Sequence, residues 1–342
     1  MIDEYPEIIL FQIKIDHPFG VDHNYIKDLL HFDFIFIQNG IIKDDLSKYL
    51  NRYVRGIKLF VTSTKKEYNS ILSSDYGYNQ NNIILTGLPR YDNLEHSKNI
   101  SKAEKSKIIL IIPTWRMEIK ENKDSSIYET IYCDDFKTTN FFRFYNSLIN
   151  DEKLIYTMNV FNYTGIFCLH QNFAAQWVDF TKNYKFIIHE NCDYQQLLIK
   201  SSLLVTDYSS VFFDFAYLEK PIIYTHFDYK NYRSIQYPEG YFDYKTDGFG
   251  PIYNDIESLV NAIIESIKID CPLQNEYLKR INTFFSFFDE YNSDRLFKEI
   301  MKGSHIQFKN SSKIYSLTMI ILIILLFLKI IIYIYVSSFH IE

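Results

Sequence analysis

The chain has 342 residues, with 36 Lys and Arg against 42 Asp and Glu and a formal net charge of −6. That length allows one large or two ordinary domains, and a chain that is 47% hydrophobic and 23% charged is neither disordered nor fibrous. The acidic balance argues against a protein that coats nucleic acid. Cys133, Cys168, Cys192 and Cys271 contain no CxxC pair and read as reduced thiols. Met1–Glu7 lacks the basic start of a secretory signal.

From Ile8 to about Tyr91, short apolar runs alternate with helical spacing. Glu7–Gln12, Phe34–Ile37, Lys58–Val61 and Ile83–Leu85 read as buried strands, with helices at Tyr25–Leu30, Asp44–Leu50 and Lys65–Leu72. The alternation predicts a parallel sheet covered by helices. Four strands are fewer than a complete doubly wound domain uses, so this first unit reads as truncated. His96–Lys107 is polar and lysine-rich and reads as a linker.

The pattern then restarts. Strands are expected at Ile108–Ile112, Leu154–Met158, Gly165–Leu169, Lys185–Ile188, Leu203–Val205 and Pro221–Tyr224. Helices are expected at Ser209–Leu218, Ile256–Ile267, Asn275–Phe288 and Ser293–Met301. The fold class is α/β, with Rossmann-type domains at 1–100 and 101–303 and a ligand cleft at the carboxyl ends of the strands. Ile314–Val336 is nearly all apolar and long enough, as a helix, to cross a hydrocarbon core of about 30 Å. Lys302, Lys309 and Lys313 precede it and no Lys or Arg follows, which keeps the body of the protein in the cytoplasm. An amphipathic or buried terminal helix is the alternative.

Three strand-end turns carry candidate chemistry. Val205 ends a strand, and Ser209 or Ser210 stands at the start of the next helix. Free N–H groups there can bind a phosphate, although capping explains the serines equally well. Asp214 lies one helical turn on, facing the same way. Pro113 ends another strand ahead of Thr114, a hydroxyl, and Arg116, a fork suited to phosphate. Arg90 follows the strand Ile83–Leu85. His170, beyond Gly165–Leu169, can donate to a phosphate or act as acid or base, or be structural; His189 is placed alike. His17, His23 and His31 lack metal-ligand spacing, and no metal is expected. There is no P-loop, dinucleotide or esterase motif.

Val205–Asp214, with Lys220–Tyr224, Gly87–Asp92 and Pro113–Arg116, resembles the CDP-glycerol glycerophosphotransferase family, the teichoic-acid and capsule polymerases and primases. Gly240–Asp243 and Gly250–Pro251 add to a likeness that runs in family order from roughly Phe34 to Ile267. The resemblance implies a two-domain GT-B fold with the nucleotide mostly on the C-terminal domain. It implies transfer of glycerol phosphate, or another polyol phosphate, from a CDP-activated donor to a hydroxyl of a growing cell-surface polymer, releasing CMP.

Arg90, Pro113, Thr114, the segment ending at His170, Ser209, Ser210 and Asp214 fall on the family's donor-binding positions. The family's His-Gly pair, whose histidine is the expected base, is matched here by Asn39-Gly40. The alternatives are a catalytically impaired, membrane-tethered relative that binds the donor or a partner enzyme, and a sugar-nucleotide glycosyltransferase of the same fold. The first is favoured by Asn39 and by the short N-terminal domain. No cofactor is implied beyond CDP-glycerol as donor substrate. The expected partners are a CDP-polyol, a polymer or lipid-linked acceptor and the cell membrane, with the catalytic part facing the cytoplasm and no nucleic acid.

Overall fold

A computed structural model describes residues 8–11, 33–103, 106–120, 132–189 and 194–303. The chain divides into compact units at 1–297 and 298–342, the second described over 298–303.

The first unit holds two sheets. In one, β1 (Ile8–Phe11), β2 (Asp33–Phe36), β3 (Ile57–Thr62) and β4 (Ile83–Leu85) lie in sequential order, every pair parallel. The helix Lys65–Ser73 links β3 to β4. Thr64 starts it by accepting a hydrogen bond from the Glu67 amide at 3.1 Å, and Ile71 is buried against the sheet with Phe60.

The other sheet comprises β5 (Ile108–Ile112), β6 (Thr164–Cys168), β7 (Phe186–His189), β8 (Leu203–Thr206), β9 (Ile222–Thr225) and β10 (Ile252–Tyr253). Its order is β10-β9-β8-β5-β6-β7, again all parallel. β5 and β8 are central, and their unbroken apolar runs follow from burial on both faces. The helices Asn140–Ile149, Glu152–Val160 and Ile256–Lys268 cover one face through Tyr145, Leu148, Leu154, Met158, Leu259 and Ile263. The helix Val211–Tyr217 packs beside β8 and β9.

Several expectations change. Leu154–Met158, expected as a strand, lies inside the helix Glu152–Val160. Asp151 caps that helix by accepting from the Leu154 amide at 2.9 Å, while Leu154 and Met158 are buried and Tyr156 and Val160 exposed, which is helical periodicity. The stretch 96–107, expected as a linker, is helical as far as Ala103, within Arg90–Ala103, where Tyr91 and Leu94 are buried. Cys133 and Cys271 are free thiols, whereas Cys168 is disulfide-bonded, against the expectation of four reduced cysteines. The expected helix Tyr25–Leu30 and the expected span Ile314–Val336 lie outside the described residues. Among the described residues, no helix is long and apolar enough to cross a membrane.

The start of the helix Asn292–Gly303 is fastened to the β4 side of the first sheet. Asp92 accepts from the Asn292 amide, the Asn292 side chain and the Ser293 amide at 2.8, 2.8 and 2.9 Å, a cap supplied from far along the chain. Arg295 donates to the Thr86 carbonyl at 2.9 Å. Gly87 has φ of 79°, and a Cβ there would overlap Asn292 Oδ1, so both conformation and space demand glycine.

Burial opposes ionisation of Asp92, but the hydrogen bonds from Ser293 and Asn292 outweigh it and hold the carboxyl below its usual range. A depressed folded-state pKa gives stabilisation that is present above the unfolded value, about 4, and lost as pH falls through the folded one. Asp92→Ala should therefore cost about 2 kcal/mol at neutral pH. In urea melts the deficit should shrink as pH is lowered below about 4; a deficit constant with pH would rule the cap out.

Candidate functional site

The loop after β2 reaches from the first sheet to the second. Gln38 leaves the strand with φ of 57° and its amide donates to the Val61 carbonyl. Glu67, fully buried, accepts from the Ile42 and Ser63 amides, each at 2.8 Å. Burial pushes its carboxyl up to about 7, in spite of those hydrogen bonds. Between these anchors Asn39 is exposed and Gly40 is buried. A Cβ on Gly40 would run into Ser210 Oγ and stand 3.8 Å from Arg90 Nη2, so a side chain here would have to displace the Ser210 hydroxyl.

Arg90 joins the two halves. One terminal nitrogen donates to the Asn39 carbonyl, and the other to Asp214 Oδ1 at 2.8 Å. Its Nε is buried and unpartnered. Burial alone would lower the Arg90 pKa, but the Asp214 carboxylate raises it, so the guanidinium stays charged.

Asn39, Arg90, Ser210 and Asp214 thus converge. Ser210 begins the helix Val211–Tyr217 without a side-chain capping bond, and Ser209 Oγ accepts only a long bond, 3.4 Å, from the Val211 amide. The capping explanation for these serines is accordingly weak.

The turn after β5 runs beside the turn after β8, because Ile112 is paired with Thr206. The Thr114 amide donates to Asp207 Oδ1 at 2.8 Å, while Thr114 Oγ1 is buried without a partner. Pro113 is buried between strand and turn. His170 also lies at this edge, its ring 6.2 Å from that of Trp115, and its Nδ1 accepts from the Asn172 amide at 3.1 Å. That bond gives His170 a capping role at one ring nitrogen. His189 ends β7, and its side chain lies outside the described residues.

Arg116, expected as a phosphate fork, has a different job. It is 2% exposed, and its donors reach Asp207 Oδ2 at 2.8 Å, Asp228 at 2.6 and 3.2 Å, and the Thr114 carbonyl at 2.5 Å. Burial would lower its pKa, but Asp207 and Asp228 hold it well above the usual value. Four of its five N–H donors are engaged inside this buried cluster, which leaves little of the guanidinium to face a ligand.

Asp207 is the residue that sequence reasoning missed. Besides Arg116 it accepts from the Thr114 and Tyr208 amides and from the Tyr145 hydroxyl at 3.0 Å. Its place directly after the buried strand Leu203–Thr206, within Val205–Asp214, was the available signal.

The far end of the β2 loop docks on the second sheet. Arg233 donates to Asp44 Oδ1 at 2.6 Å, and the Asp45 amide to the Pro238 carbonyl at 3.3 Å. Lys43 is buried and paired with Asp44; burial lowers its pKa, with Asp44 opposing.

Two parallel sheets whose carboxyl-terminal turns meet are the architecture of GT-B-like proteins. The chain belongs to the CDP-glycerol:poly(glycerophosphate) glycerophosphotransferase family, whose profile matches residues 38–302. It is 40% identical over 291 residues to the minor teichoic acid biosynthesis protein GgaB of Bacillus subtilis, covering 85% of this chain and 31% of that one. It is 26% identical over 258 residues to a teichoic acid glycerol-phosphate transferase of Staphylococcus aureus, covering 71% of this chain and 60% of that one. It therefore spans between about a third and three fifths of the length of these relatives. The fold resembles that of the wall teichoic acid polymerase TagF, with a TM-score of 0.55 at 18% identity over 79% of this chain and 68% of the other. A UDP-GlcNAc 2-epimerase of Methanocaldococcus jannaschii gives 0.51 at 16% identity, over 88% and 77%.

Proposed function

We propose that the chain transfers glycerol phosphate, or another polyol phosphate, from a CDP-activated donor to a hydroxyl of a growing teichoic-acid or capsule polymer, releasing CMP. The observation that carries this reading is the convergence of Asn39, Arg90, Ser210 and Asp214 where the two sheets meet. Family membership and the printed names of the relatives support the donor and the polymer.

In the transfer, the acceptor oxygen attacks the glycerol-bearing phosphorus. The bond to the bridging oxygen breaks, CMP departs with that electron pair, and the acceptor hydroxyl's proton is released to water. Arg90 supplies positive charge, held in place by Asp214, while Ser210 and Thr114 offer hydroxyls to the phosphoryl oxygens. Such groups lower the barrier by facing charge as it develops, so the demands on the protein are positioning and electrostatics. Ser209 adjoins Ser210 in the same turn, and His170, beyond the end of β6, belongs to the same proposal as a donor-side group.

A neutral amide cannot take up the acceptor's proton, so Asn39 can position but not act as the base. Loss of a positioned base is worth about 10²–10⁴ in rate. This observation favours a second reading, a relative that binds the donor or a partner enzyme and turns over slowly or not at all. CMP release from CDP-glycerol with a polymer acceptor, for parent and Asn39→His, separates the two. A parent rate raised about 10²-fold or more by histidine supports transfer limited by the missing base. Calorimetric binding without turnover in either protein supports the binding relative, and absence of both binding and turnover sinks the donor assignment.

Attachment to the cell membrane through Ile314–Val336, with the catalytic part facing the cytoplasm, belongs to the same proposal. The apolar run and the lysines upstream of it support this. Removing residue 314 onward should move the protein from the membrane fraction to the supernatant; a full-length protein already in the supernatant refutes the span.

A further inference from the structure

Glu67 stands on the helix Lys65–Ser73 of the first sheet, yet its carboxylate reaches the loop that carries Asn39 and Gly40. One oxygen accepts from the Ile42 amide, 25 positions back along the chain, and the other from the Ser63 amide, each at 2.8 Å. The residue is 0% exposed. Its own helix needs no carboxylate this deep, because Thr64 already caps it by accepting from the Glu67 amide. What the buried charge adds is the clamp across to Ile42.

The clamp holds one end of a short loop. Ile42 packs with Phe36 and Phe60, so water is not at hand to replace an acceptor lost there. At the other end Gln38 is buried and donates to the Val61 carbonyl. Between these ends the Asn39 carbonyl accepts from Arg90, and Gly40 lies against the Ser210 hydroxyl. Arg90 is gripped from both sides, by Asn39 and by Asp214, only while the loop keeps this position.

Serving two amides at once takes an ionised carboxylate. A carboxylate only accepts, whereas a protonated carboxyl carries an O–H that donates, so protonation takes the partner from one of the two amides. Burial pushes the Glu67 carboxyl up to about 7, against the hydrogen bonds from Ser63 and Ile42. The groups that feel its charge are phenols: Tyr76 beyond the end of its helix, Tyr91 on the helix Arg90–Ala103 and Tyr241 on the segment leading to β10. Burial holds all three protonated. Lys43 and Lys66, adjacent in sequence to Ile42 and Glu67, are engaged by Asp44 and Asp247.

We infer that Glu67 is a positioning residue for the transfer: its ionised carboxylate fixes the loop 38–43 so that Asn39 and Gly40 meet Arg90 and Ser210, and its protonation releases that loop. The effect on rate rests on the transfer reading; the clamp itself does not.

The test has two arms, both on the full chain. In the first, without donor, hydrogen exchange of the loop is compared for parent and Glu67→Gln at about pH 8 and about pH 6. After correction for the intrinsic rate, the parent loop should be protected at the higher pH and about tenfold less protected at the lower. Glu67→Gln turns an amide donor toward one of the two N–H groups and should lack that protection at both. In the second arm, kcat/KM for CMP release from CDP-glycerol should fall in the parent below about pH 7, while Glu67→Gln runs flat near the parent's acid-side rate. The proposal is overturned by equal loop protection in the two proteins, by a parent rate that is flat through neutrality, or by an acid limb that survives in Glu67→Gln. If Glu67→Gln does not fold, the parent decides alone, and loop protection independent of pH overturns the clamp. Failure of the transfer reading shows differently: the parent neither binds nor turns over CDP-glycerol, and loop exchange that follows the Glu67 proton then still upholds the clamp.

Discussion

Asp207→Ala should destabilise the protein by about 3–5 kcal/mol, a drop in thermal midpoint on the order of 10 °C. Asp207 is 0% exposed and ties Arg116, Thr114, Tyr208 and Tyr145 together. Removing it leaves a buried guanidinium half-compensated and strips two amides and a hydroxyl of their acceptor. Breaking a buried pair from one side costs far more than the pair itself contributes, because the stranded charge stays desolvated. Asp228→Ala should cost less, since Arg116 keeps Asp207, and the Asp228 side chain is 11% exposed and reachable by water.

The measurement is urea unfolding of parent and both variants, with Arg116→Met alongside. An Arg116 that bound phosphate would, on mutation, lose CDP-glycerol affinity and leave stability intact. The geometry predicts the reverse for Asp207, a large loss of stability. If Asp207→Ala unfolds within about 1 kcal/mol of the parent, the cluster is not what fixes these turns.

That contrast shows what was legible in the sequence. β5 and β8 could be read because a strand buried on both faces shows a short run of consecutive apolar residues bounded by polar turns. Leu154–Met158 was misread because five mostly apolar residues fit a strand or a buried helix equally. The deciding cap, Asp151, lies outside the run. The turns carrying Arg90, Thr114, Ser210 and Asp214 were found because strand ends predict position.

What each side chain meets there is set by residues distant in sequence. Arg116 is bound by Asp207 and Asp228, 91 and 112 positions away, so a guanidinium that looked available is held inside a buried cluster. Arg90 looked like one arginine among several, yet it reaches Asn39 and Asp214 across 51 and 124 positions.

Arg90→Ala should lower kcat/KM for CMP release from CDP-glycerol by about 10² or more while moving the thermal midpoint by only a few degrees. The pair it forms with Asp214 is partly exposed, at 19% and 13% for the two side chains, so its contribution to folding is modest. Its contribution to transfer is larger, since the same guanidinium grips the Asn39 carbonyl and lies beside Gly40 and Ser210 where the two sheets meet. Arg90→Lys tests geometry against charge: an ammonium keeps the positive charge but cannot span both partners, so most of the activity should still be lost.

A double-mutant cycle with Asp214→Ala then apportions the effect. If Asp214 acts by holding Arg90, the double variant should be little slower than Arg90→Ala alone. Independent, multiplying losses would instead give Asp214 its own contact with the donor. Retention of activity within about threefold in Arg90→Ala would remove the convergence of the two sheets as the site of transfer.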